Sequence, residues 1–133
     1  MSKQPVRVMV VDDHPMWRDG VARDLADEGF EVVATADGVR AATRRAAAVR
    51  PDVVLMDMQM PDGTGATATA ELLTVCPDAH VLVLSASDER DDVLDAIKAG
   101  ATGYLVKSAQ RSELVAAVHA TADGQAAVSY THL

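Results

Sequence analysis

The sequence predicts an α/β protein: a doubly wound (βα)5 sandwich on a parallel, five-stranded sheet of order 2-1-3-4-5. Three observations carry this. Five short apolar runs, rich in Val and Leu and without strict polar alternation, lie near residues 6–11, 31–35, 52–56, 80–84 and 103–106, as expected of strands buried on both faces. Stretches with apolar residues at helical spacing lie between them, and glycine or proline marks the joints. Right-handed crossovers then place helices on both sides of one sheet.

The first run, Val6-Arg7-Val8-Met9-Val10-Val11, stops on Asp12-Asp13. Trp17, Val21 and Leu25, at i, i+4 and i+8, form the apolar stripe of a first helix, and Gly29 stands where a left-handed C-cap ends it. The second run is followed by an Ala-rich helix from Val39 to Val49, stopped by Arg50-Pro51, since the residue before proline avoids the helical region. The third run, Val53-Val54-Leu55-Met56, ends on Asp57 and meets the turn-forming Met60-Pro61-Asp62-Gly63. Leu72, Leu73 and Cys76 stripe a third helix, which Pro77 stops. His80-Val81-Leu82-Val83-Leu84 leads to Ser85, and Val93, Leu94 and Ile97 predict a fourth helix ending at Gly100. Tyr104-Leu105-Val106 precedes Lys107, after which Leu114, Val115 and Val118 predict a fifth helix ending at Gly124. Each stripe is expected to cover the sheet.

With 133 residues and 49% hydrophobic content, the chain has room for one domain with a real core. Its apolar runs fall far short of the roughly 20 residues that span a bilayer, and Met1-Ser2-Lys3-Gln4-Pro5 has no signal-peptide segment. A cytoplasmic protein without membrane contact is expected. The single cysteine, Cys76, excludes an internal disulfide and is assigned no function. A net charge of -8 argues against this segment gripping nucleic acid by itself. The densest acids, Asp88, Glu89, Asp91, Asp92 and Asp95, suit a solvated helix start.

In a sheet of this order, strands one and three are neighbours and ligands sit beyond their carboxyl ends. Asp12, Asp13 and Asp57 then converge. Three carboxylates together repel one another unless a cation offsets them, and Mg2+ prefers a few carboxylates, waters and a phosphate oxygen. Ser85 and Lys107, at the ends of the fourth and fifth strands, can hold phosphoryl oxygens as hydroxyl donor and as charge. Asp57 is the expected nucleophile, forming an acyl phosphate.

These residues resemble the receiver domain of two-component response regulators, a flavodoxin-like fold. The resemblance covers nearly the whole chain: Val11-Asp12-Asp13-His14-Pro15, Asp57-Met58-Gln59-Met60-Pro61-Asp62-Gly63, Leu84-Ser85-Ala86, and Ala99-Gly100-Ala101-Thr102-Gly103-Tyr104-Leu105-Val106-Lys107. The first and last motifs look like the subclass whose receivers precede a LuxR-type helix-turn-helix domain. The resemblance implies that Asp57 accepts phosphoryl from a sensor histidine kinase. It implies that Asp12, Asp13, Asp57 and the backbone carbonyl of Gln59 hold Mg2+. Lys107 then pairs with the phosphoryl group, Ser85 acts as the conformational switch, and Tyr104 matches the aromatic switch position. The plain structural reading of Tyr104 is a half-buried strand aromatic.

The implied protein is a phosphorylation-dependent signalling switch, not an enzyme on other molecules: it accepts phosphoryl on itself and later hydrolyses it. Residues 1–125 are expected to be the receiver and 126–133 the start of a linker to a DNA-binding output domain absent from this chain; a stand-alone receiver is the alternative. Homodimerisation on activation is implied by the subclass, with exposed residues of helices one and five as a candidate surface. The face from Asp88 to Gly124 is expected to read the phosphorylated state. A Mg2+-dependent phosphohydrolase of the haloacid dehalogenase type also forms an aspartyl phosphate, but Asp12-Asp13-His14 lacks its Asp-x-Asp spacing. A flavin-binding module would need a Ser/Thr-Gly-rich phosphate loop after the first strand, and none is there.

Many receivers follow the site lysine with a cis proline, whereas this chain has Lys107-Ser108. A cis non-proline bond costs about 2.5 to 4 kcal/mol, so trans is expected. Gln59, two residues after the acceptor, can tune acyl-phosphate lifetime. His14 is read as a local capping or hydrogen-bonding residue, and His80, His119 and His132 show no ligand spacing. Trp17 is read as packing on a core face. Met56, Met58 and Met60 are read as gap-filling residues around Asp57.

Overall fold

A computed structural model describes residues 4–86 and 90–129. Along the chain run β1 (Arg7–Val11), α1 (Pro15–Asp27), β2 (Glu31–Ala36), α2 (Val39–Val49) and β3 (Val53–Asp57). A small hairpin, β4 (Gln59–Met60) and β5 (Gly63–Thr64), leads into α3 (Gly65–Val75). Then follow β6 (His80–Ser85), α4 (Arg90–Lys98), β7 (Gly103–Val106), α5 (Arg111–Ala122) and β8 (Ala127–Ser129). The main sheet has the order β2-β1-β3-β6-β7-β8, and all its pairings are parallel. Its first five strands reproduce the expected 2-1-3-4-5 order.

The sixth strand is an addition to the expected five. Gly103, Tyr104 and Leu105 pair with Ala127, Val128 and Ser129, so backbone groups at the open edge of β7 gain partners. Residues 127–129, within the segment expected to start a linker, thus lie along the edge of the sheet. Residues 130–133, like Asp88 and Glu89 of the acidic run, lie outside the described residues.

Side chains alternate across the sheet, as the two-residue period of a strand requires. Met9, Val11, Val54, Met56, Val81, Val83 and Tyr104 point to the side covered by α2, α3 and α4, where Ala42, Ala46, Leu72 and Ala96 meet them. Val8, Val10, Val53, Leu55, Leu82, Leu84 and Leu105 point to the side of α1 and α5, against Val21, Leu25, Leu114 and Val118. Both faces are covered, which explains the missing polar alternation. Met56 and Met58 are buried, with Met60 packed against them. Trp17 packs on the α1/α5 side as expected.

The stripe of α4 differs from expectation. Val93 and Ala96 are buried at i and i+3, whereas Leu94 is 45% and Ile97 40% exposed. A helix on a sheet buries about one stripe, and here the small alanine occupies the inner line that Ile97 was expected to hold. Among the described residues no helix is long and apolar enough to cross a membrane.

Helix ends follow local chemistry. Gly29, Gly100 and Gly124 all have positive φ, as C-terminal glycines do. At the end of α2 the same conformation falls on Arg50, with φ 50°. There the Arg7 guanidinium donates to the carbonyls of Arg50 and Val49, both at 2.7 Å, a cation placed on the negative end of the helix dipole.

Candidate functional site

Register brings the site together. Val11 of β1 pairs with Met56 of β3, Asp57 with Leu84 of β6, and Ser85 with Val106 of β7. The residues at or just past these ends, Asp12, Asp57, Ser85 and Lys107, thus stand on four adjacent strands at one rim. Backbone bonds fix the rim: Asp12 N to Ala36 O at 3.0 Å, Met58 N to Leu84 O at 2.8 Å, and Lys107 N to Ser85 O at 2.8 Å.

At the centre, the Lys107 ammonium lies 2.5 Å from Asp12 Oδ2 and 3.2 Å from Asp57 Oδ1. Asp12 is fully buried and Asp57 only 4% exposed. Asp13 is half-buried beside them. His14 donates its backbone N–H to Asp12 Oδ1 at 2.8 Å, and its Nδ1 stands 3.0 Å from Asp12 Oδ1 and 3.2 Å from Asp13 Oδ1. Its side chain bonds locally, as expected, but to the Asp12 carboxylate rather than to the first turn of α1.

One ammonium does not balance three carboxylates. Burial first, and the charge of Asp12 second, push the Asp57 carboxyl above its ordinary value; Lys107 and the Gln59 amide pull it down without offsetting them. Asp57 Oδ2 and Asp13 Oδ1 are buried without a hydrogen-bond partner, a costly arrangement unless a further group satisfies them. Ligand atoms from Asp12, Asp13, His14 and Asp57 all lie within 4.8 Å of one another. Hard oxygen donors, excess negative charge and orphaned oxygens fit a small divalent cation. The backbone N–H of Gln59 donates to Asp57 Oδ1 at 3.4 Å.

Ser85 closes β6 and is buried. Tyr104 is fully buried rather than half-buried, inside the core on the α3/α4 side. No peptide bond among the described residues is cis, so Lys107-Ser108 is trans, as expected.

Three features of the site were missed in the sequence reading. Gly65 N donates to Met58 O at 2.7 Å, and a Cβ on Gly65 would lie 2.6 Å from the carbonyl oxygen of Asp57. Asp62 caps α2 from a distance, its Oδ1 accepting from Val39 N at 2.8 Å and its Oδ2 from Arg40 N at 3.3 Å. Gly38, the residue at the cap position, has no side chain to do this. The ring of Trp17 lies under the Lys107 ammonium. The Thr64–Thr67 spacing, whose hydroxyl-to-amide cap starts α3, was the one local signal for the glycine; the other two are contacts through space.

The comparisons with known proteins agree with this arrangement. Residues 8–119 match the response regulator receiver domain family. The transcriptional regulatory protein DegU of Brevibacillus brevis is 39% identical over 127 residues, 95% of this chain and 54% of that protein. The response regulator GacA of Pseudomonas viridiflava is 40% identical over 125 residues, 93% of this chain and 58% of its own length. The chain therefore spans somewhat more than half of these relatives. Among solved structures, the signal receiver domain of NarL from Mycobacterium tuberculosis superposes with a TM-score of 0.87 at 40% identity, covering 92% of this chain and all of that one. A LuxR-family two-component response regulator from Aurantimonas sp. SI85-9A1 gives a TM-score of 0.89 at 34% identity, covering 96% and 91%.

Proposed function

The chain belongs to the response regulator receiver domain family, and from that premise we propose that Asp57 accepts a phosphoryl group from a sensor histidine kinase. The observation that carries this is Lys107 joining Asp12 to Asp57 while the second oxygen of Asp57 stays buried and unpartnered. That oxygen attacks the phosphorus of a phosphohistidine; the new O–P bond forms, the N–P bond breaks, and the imidazole keeps the electron pair. Mg2+, held by Asp12, Asp13, Asp57 and the backbone carbonyl of Gln59, supplies positive charge for the phosphoryl oxygens when bound. Lys107 keeps a second positive charge on the acceptor and takes a phosphoryl oxygen from the Asp12 side. The buried Ser85 hydroxyl, one strand over, takes another.

Phosphorylation adds about 1.5 to 2 negative charges, and Ser85 and Lys107 bind them only in the rearranged state. The differential energy shifts the population toward that state. Tyr104 lies in the core between β7 and α4, so a shift at Ser85 is felt on the face of α4, β7 and α5. Hydrolysis by water regenerates the Asp57 carboxylate, and the chain acts on no other substrate. In the whole protein the switch controls a DNA-binding output domain, as the regulator relatives suggest; a stand-alone receiver is the second reading. Mg2+ as the ion, a cytoplasmic site of action and homodimerisation on activation complete the proposal. Light scattering that stays monomeric with and without Mg2+-fluoroberyllate contradicts the dimer.

Intact mass after incubation with acetyl phosphate tests the central step. The chain gains one phosphoryl group with Mg2+ present, and the gain disappears with EDTA or in Asp57→Asn. An acid-stable, base-labile label that persists in Asp57→Asn moves the acceptor elsewhere.

A further inference from the structure

Lysine carries its charge on a flexible four-carbon stem, so a lysine that must face two carboxylates needs something to hold it there. The Lys107 ammonium lies 4.5 Å from the centroid of the Trp17 ring, inside the cation–π range of about 6 Å. Its side chain is only 17% exposed, so little water competes for the charge. We propose that Trp17 is a positioning residue for the phosphoryl chemistry: its ring face holds the Lys107 ammonium against Asp12 and Asp57.

The first turn of α1 is built for this. Met16 points away and is 91% exposed, while Trp17 packs inward on the α1/α5 core. Arg18 donates from Nη1 to the backbone carbonyl of Asp12 at 2.9 Å. Two successive residues thus back the two members of one ion pair, Trp17 the lysine and Arg18 the aspartate. Trp17 and Lys107 also share the wall of a cavity of about 150 Å³ with Leu84 and Leu105. That space lets the lysine stem swing away from the acids once the indole is removed. Packing alone would be met by any large apolar side chain; holding a cation needs an aromatic face.

The kinetic consequence rests on the proposed acceptor role of Asp57, so the test reads the contact separately from the chemistry. The chain has three lysines, Lys3, Lys98 and Lys107. With 13C-lysine labelling, the ε-methylene signal lost in Lys107→Arg belongs to Lys107. In the unsubstituted chain that signal is shifted upfield of the other two by the indole ring current. Trp17→Leu abolishes the shift and Trp17→Phe retains part of it. Uptake of phosphoryl from acetyl phosphate falls roughly two- to thirtyfold in Trp17→Leu, the range a single cation–π contact implies, and less in Trp17→Phe. A Lys107 signal at the unshifted position in the starting chain overturns the inference, as does uptake in Trp17→Leu equal to the parent. Should Trp17→Leu not fold, the parent signal and Trp17→Phe decide. If the parent chain itself takes up no phosphoryl group, the acceptor role fails, and the ring contact is judged by the signals alone.

Discussion

The backbone of Gly65 lies against the backbone of Asp57 so closely that a methyl group on Gly65 would stand 2.6 Å from the Asp57 carbonyl oxygen and 2.9 Å from the Met58 Cα. The start of α3 is thereby pressed onto the loop that follows Asp57, and the amide of Gly65 donates to Met58 O across the contact. Glycine is required here for close approach, not for an unusual dihedral angle.

Gly65→Ala is expected to push the Asp57–Gln59 loop or α3 aside. Overpacking of this kind costs about 1 to 3 kcal/mol, and the loop that moves carries Asp57. Urea unfolding should show a lower midpoint, and phosphoryl uptake from acetyl phosphate should fall with it. A variant as stable and as reactive as the parent would show that the contact yields without cost.

Asp57→Asn is expected to stabilise the metal-free chain at neutral pH. The Asp57 carboxyl is held above its ordinary value, chiefly by burial, so the folded state binds its proton more tightly than the unfolded chain does. Its contribution is favourable below the unfolded value and is lost as pH rises through the folded one. The ionised group therefore weakens the fold at neutrality, and asparagine removes that penalty. Thermal unfolding in EDTA should show a higher midpoint for the variant at pH 7.5, with the gap closing as pH falls below the usual carboxylate range. A lower midpoint at pH 7.5 contradicts the prediction.

Asp62→Ala is expected to loosen the start of α2. The amides of Val39 and, second, Arg40 hold the exposed Asp62 carboxyl below its ordinary value, so the sign is opposite to that of Asp57. Its stabilisation is present above the unfolded value and fades as pH falls through the folded one. The substitution should lower the unfolding midpoint at neutral pH, and hydrogen exchange at Val39 and Arg40 should speed up. Equal exchange in the two proteins rules out the cap.

Much of this molecule was legible along the chain because its signals are local. Val53-Val54-Leu55-Met56 must be buried, and the carboxylate that follows must stand at the rim, whatever the neighbours are. The same reasoning located Asp12, Ser85 and Lys107, and known pairing rules placed their strands side by side. The exposure of Leu94 and Ile97 was not legible, because the spacing of Val93, Leu94, Ala96 and Ile97 allows more than one line to face the sheet. Which line is chosen depends on the room beneath α4.

The amino-acid sequence by itself determined the strand and helix order and the acidic rim that carries Asp57, since hydrophobic period and turn chemistry act over a few residues. Only the tertiary structure decided that Asp62 caps a helix starting 23 positions earlier, that β8 joins the edge of β7, and that Trp17 lies under Lys107. Those contacts join residues distant along the chain, and their partners are set by how whole elements pack rather than by any pattern within one of them.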